Sequence, residues 1–200
     1  MRTAARVGLV NMLSCLVVAG PVAAQSATPP QPPPQPLMLQ APLPPATMME
    51  GFQYPVGTLF TVGYDDLGDV AGISVEVREM RDARGARVRG VVVEVASGPT
   101  TREQSLVDAD EIPDLLKGFD TMLEIRTNPT QFKNFETRFA TKGELILSAN
   151  STRSRGVLYA VEVGRLVKAR RGGLTGGEMH QLRVLLEAAS QKLATLVPDR

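Results

Sequence analysis

The chain has one cysteine, one histidine and no tryptophan among its 200 residues, and aromatics make up only 4% of it. Cys15 lies in an apolar N-terminal run, so the remainder carries no thiol. That remainder excludes a Cys-ligated zinc site, c-type haem attachment, an iron–sulfur cluster, a catalytic cysteine and a disulfide framework. Any serine–histidine mechanism would have to use His180. At 100° per residue, His180 falls about 160° from an apolar helical stripe centred on Leu182, so a solvated surface histidine is the simpler reading. Neither a G-x-S-x-G elbow nor an S-x-x-K pair is present.

An excess of one charge sign is also missing. Lys and Arg number 22 against 21 Asp and Glu, and without Arg2 and Arg6 the balance is 20 against 21. Nothing global therefore points to nucleic acid, and none is expected as a partner. Long apolar runs are limited to one. Arg2 and Arg6 precede Val7 to Gly20, and Val22-Ala23-Ala24 forms a small-residue cleavage site before Gln25. Residues 1–24 thus read as a cleavable signal peptide. Spanning a bilayer takes about 20 apolar residues, and this run is shorter and broken by Asn11 and Pro21. Cys15 sits in mid-run rather than behind a Leu-rich lipidation box, as an apolar filler lost with the peptide. The expected address is exported: periplasm, cell surface or extracellular.

Pro29 to Ala46 holds nine prolines and no charge. Such a segment favours polyproline II, reaches about 55 Å at about 3.1 Å per residue and cannot form a core, so residues 25–49 read as a disordered tether. It would space the domain from a surface or serve a proline-recognising partner. Residues 50–200 remain as a single domain, large enough to bury a core without covalent staples.

Within that domain, two periods alternate. Ile73, Val75 and Val77 share one face of a strand and Val91, Val93 and Val95 one face of the next, with turn residues at Asp82 to Gly85. Phe135, Thr137 and Phe139 alternate with Glu136 and Arg138, turn at Lys142-Gly143, and continue in Leu145 and Leu147. Val157 to Val161 is apolar on both faces, as a central strand is. Ile112, Leu115, Leu116, Phe119, Met122 and Leu123 form one helical stripe; Met179, Leu182, Leu186, Ala189, Leu193 and Leu196 form another. Thr175 and Glu178 have capping-box spacing, and Asp110 is the expected N-cap of the first helix because it leaves Pro113 in the first turn. The fold class is α+β: antiparallel hairpins or a meander with two amphipathic helices packed on one face, the halves forming a loose βββα pair.

The stretch Phe135, Thr137, Arg138, Thr141, Lys142, Gly143 and Glu144, between a preceding helix and a Leu-rich C-terminal helix, resembles a family of small exported bacterial α+β proteins without a characterised activity. The resemblance covers roughly Asp110 to Leu196 and implies export and the α+β architecture.

Candidate chemistry falls in a few places. Arg78, Arg81, Arg84, Arg87 and Arg89 cluster on the first hairpin, interleaved with Glu76, Glu79 and Asp82. Such a patch grips a polyanion, a lipid headgroup or surface polysaccharide, or is an ordinary solvated hairpin. Arg170 and Arg171 with Gly172, Gly173, Gly176 and Gly177 precede a helix, as an anion cradle does, although Glu178 repels an anion there. That segment otherwise reads as a flexible strand-to-helix turn. Asp108, Asp110, Glu111 and Asp114 supply carboxylates for a calcium ion or acid–base pair, or simply favour a helix N-terminus. Asp65, Asp66 and Asp69 lack calcium-loop spacing and read as a turn. Asn150-Ser151-Thr152 is a glycosylation sequon. No catalytic residue, metal or cofactor is assigned.

Together these features lead to the expectation of a non-catalytic, exported binding or interaction module that meets a polyanion or envelope protein through the arginines named above. A carboxylate hydrolase or calcium-dependent enzyme centred on Asp108, Asp110 and Glu111 is the first alternative. A structural envelope component assembling through strand edges is the second.

Overall fold

A computed structural model of the chain describes residues 44–52, 57–125, 129–152 and 156–196. Residues 1–24, expected to be a signal peptide, and most of the proline-rich segment lie outside these residues, and the described residues belong to one compact unit assigned to Pro42–Arg200. A short helix α1 (Met48–Gly51) leads into a meander of β1 (Phe60–Val70), β2 (Ile73–Asp82), β3 (Arg87–Ala96) and β4 (Arg102–Asp108). A 3-10 turn (Ala109–Glu111) then runs into α2 (Ile112–Leu123). The second meander comprises β5 (Glu136–Ala140), β6 (Ile146–Thr152), β7 (Gly156–Val163) and β8 (Ala169–Leu174), followed by α3 (Gly176–Thr195). Each sheet has four antiparallel strands in chain order. The architecture is α+β, with four strands before each helix where the sequence pattern suggests three.

The alternating pattern explains the pairing. Ile73, Val75 and Val77 lie opposite Val95, Val93 and Val91 in register, all buried. A slip of one residue would turn this valine face to water, so the hairpin has one acceptable register. The helical stripes are buried as well: Ile112, Leu115, Phe119 and Met122 of α2, and Met179, Leu182, Leu186, Ala189 and Leu193 of α3. At about 1.5–3 kcal/mol for each large apolar side chain taken fully from water, these faces dominate the stability of both helices. His180 is exposed.

Chain order and packing diverge at the helices. α3 follows the second sheet but packs on β1, β2 and β3 of the first, whereas α2 follows the first sheet and packs on β5 and β6 of the second. The two helices also contact each other, and both sheets contribute to one continuous core. The sheets meet where β3 and β4 approach β7 and β8; the buried Ser105 hydroxyl accepts the Gly164 N–H there at 3.0 Å.

Several local expectations change. The C-terminal end of the proline-rich segment is seated on the body: Met49 of α1 joins Met80 and Val92 in a second small cluster on the other face of the first sheet. Gly90 leaves room for the Met49 sulfur where any Cβ would collide. Asp65, Asp66 and Asp69 lie within β1, where the Asp66 carboxylate accepts the Gly68 N–H at a bulge and that of Asp69 the Gly72 N–H at the hairpin turn. Residues 169–174 form an edge strand rather than a flexible turn, with a bulge that absorbs Gly173 at φ 75°. Asn150 of the sequon lies in β6.

Candidate functional site

The acidic cluster is divided by the fold. Asp108 ends β4, is 1% exposed, and its carboxylate accepts the N–H groups of Met48 (2.7 Å) and Met49 (3.2 Å). The residue before α2 is Glu111, not the expected Asp110, and its side chain does not cap that helix; Asp108 precedes the 3-10 turn, and its side chain caps α1 instead. Asp110 is exposed and lies 3.5 Å from Lys142 Nζ. Glu111 Oε1 accepts the Lys142 backbone N–H at 2.9 Å, while its Oε2 is buried without a hydrogen-bond partner. No group of three or more His, Cys, Asp or Glu among the described residues is placed to hold a metal ion.

The arginines are divided too. Strand alternation puts Arg78 on the face opposite Arg81, Arg87 and Arg89. Arg78 pairs with Glu76 at 2.7 Å, Arg84 with Asp82 at 3.1 Å, and Arg89 with Glu79. Partial burial pushes the Asp82 carboxyl up, but the Arg84 side chain and the Ala86 and Arg84 backbone N–H groups outweigh it and hold it below its usual value. Arg81 stands directly opposite Arg87 in the ladder, with Arg84 in the turn beyond. Arg170 and Arg171 alternate on β8, so they point to opposite faces of that strand.

What the fold brings together instead is a groove of about 590 Å³ between α2 and β5. One wall is the side of α2 carrying Asp114, Lys117, Gly118 and Thr121; the other is β5 and its turn. Glu111 lines one end, with Oε2 unsatisfied. Gly118 sets the depth, because a Cβ there would stand 2.7 Å from the Phe139 ring. Helix and strand therefore approach more closely than any larger residue permits.

The groove runs beside an open sheet edge. Among the described residues, β5 pairs only with β6. Ser151 donates to the Phe135 carbonyl and Thr141 to the Leu145 carbonyl, so in an antiparallel ladder the odd-numbered residues of β5 bond inward. The N–H and C=O groups of Glu136, Arg138 and Ala140 face away from the sheet. Thr137 and Phe139 are half-buried, whereas Glu136 and Arg138 are exposed and bond each other at 2.9 Å. This bond holds the Arg138 pKa above its ordinary value.

Sequence reading placed Asp110, Glu111 and Asp114 at a helix start and Phe135 to Lys142 in a hairpin, but missed that one wall belongs to each. Lys117, Gly118 and Thr121 carry no local signal, since a glycine inside a helical stripe only hints at a close neighbour. No family model matches this chain, and no curated protein matches it either.

Proposed function

We propose that this chain is a non-catalytic, exported interaction module that takes up an extended polypeptide segment in the groove between α2 and β5. The observation that carries this reading is the open β5 edge beside the groove: three residues present unpaired backbone groups next to a helical wall. Strand addition uses such an edge for affinity and the neighbouring wall for specificity. The unsatisfied Glu111 Oε2 and the exposed Asp114 and Lys117 supply polar partners for the incoming segment.

The carboxylate-enzyme reading has less support, because Asp108 is engaged with α1 and Glu111 with the Lys142 backbone. The polyanion reading has less support as well, with Arg78, Arg84 and Arg89 each beside a carboxylate.

Selecting a displayed library of random peptides of about 12 residues on the full chain tests the reading. Selected peptides should protect the amides of Glu136, Arg138 and Ala140 from hydrogen exchange and shift the resonances of Lys117 and Thr121. Peptides that leave these groups unchanged and perturb the Arg81–Arg87 hairpin instead would move the site there.

A further inference from the structure

We infer that the extended segment which occupies the β5 edge in solution is β5 of a second copy of this chain, added antiparallel about a two-fold axis through Thr137. The inference rests on the strand-addition reading above and assigns its partner.

Backbone direction and charge agree on one register. The outward groups belong to Glu136, Arg138 and Ala140, so an added strand must present its own outward residues opposite them. Two copies of β5 meet this requirement with the axis at Thr137. Glu136 then stands opposite Arg138 of the partner subunit, and Arg138 opposite the partner's Glu136. Each pair exchanges both of its N–H···O bonds. Moving the axis to Glu136 sets carboxylate against carboxylate, and moving it to Arg138 sets guanidinium against guanidinium; like charges directly opposite are destabilising. On the groove side, the same register brings Phe135 opposite the partner's Phe139. Both rings are only half-buried within one chain, and aromatic cross-strand pairs stabilise such contacts.

The other edges are less suited. β1 is interrupted by a bulge between Asp66 and Gly68 and carries three aspartates, features that blunt an edge. β4 and β8 lie where the two sheets approach each other. Residues Glu136 to Ala140 contain no bulge, proline or lysine.

Sedimentation of the full chain, as the cell processes it, between about 1 and 100 µM tests this. The wild type should show a concentration-dependent dimer. E136R and R138E, both at exposed positions, should each weaken dimerisation about tenfold or more. An equimolar mixture of the two variants should recover the dimer, because a chain with Arg at both positions then faces one with Glu at both. A monomeric wild type, a dimer indifferent to both reversals, or variants that fail to pair in the mixture would each overturn the inference. If the wild type is monomeric while selected peptides still protect the β5 amides, strand addition stands and the second copy is excluded as its partner. If neither occurs, both readings fall.

Discussion

The Asp108 carboxylate receives two backbone N–H groups at the start of α1, so truncating it leaves the buried Met49 donor, and the partly buried Met48 donor, without that acceptor. Leaving a buried polar group unsatisfied costs about 1–3 kcal/mol. Asp108→Ala should therefore lower the urea midpoint by a corresponding amount at unchanged slope, and Asp108→Asn, which keeps one carbonyl oxygen, should cost less. Equal losses in the two variants would mean that the carboxylate acts through its charge and not as an acceptor. The acidic run before a helix suggested a cap at Asp110, but the residue whose side chain caps a helix is Asp108, and that helix lies about 60 positions upstream. No local pattern carries a contact of that range, because the partner is chosen by how the chain returns over the first sheet.

At the scale of single elements, α3 has the clearest local signature and the most faithful outcome. The Thr175 hydroxyl accepts the Glu178 N–H at 3.2 Å, and the Glu178 carboxylate accepts the Thr175 N–H at 2.7 Å. Thr175→Ala should cost about 1 kcal/mol in chemical unfolding. The backbone N–H and then the hydroxyl of Thr175 hold the Glu178 carboxyl below its usual value. The carboxyl of Asp120 is lowered first by donation from the Arg183 guanidinium. A carboxyl whose folded pKa lies below its unfolded one contributes stability that is complete above the unfolded value and lost as pH falls through the folded one. Stability should thus be flat above about pH 5 and decline toward pH 2, with the decline shallower in Thr175→Ala. An identical slope in that variant would argue against the cap as a source of the acid sensitivity. β1, β4 and β8 illustrate the opposite case. Their apolar alternation is weak, β1 being mostly exposed and β8 reading Arg-Arg-Gly-Gly, so they become strands mainly through the partners beside them.

For the whole folded unit, the exchange of helices between the sheets has a thermodynamic consequence. Each helix buries its stripe on the sheet of the other half, and residues of both sheets share one core. Neither half retains a closed core without the other. Thermal unfolding should accordingly be a single transition with equal calorimetric and van't Hoff enthalpies. Two resolved transitions, or a first half that stays folded after removal of α3, would contradict this coupling.

The sequence by itself determined the hydrophobic periods, and through them the α+β class, the buried valine hairpin, both helical stripes, the capping box and the exposure of His180. These depend on residues a few positions apart, whose relation is set by the repeat of a strand or a helix. Only the tertiary structure decided which sheet each helix covers, that Asp108 serves α1, that the hairpin arginines are split between faces and mostly paired, and that α2 and the open edge of β5 enclose a groove. Those outcomes depend on contacts between residues far apart in the chain. Which contacts form is set by the competition of many apolar surfaces for one core, a property of the packed whole.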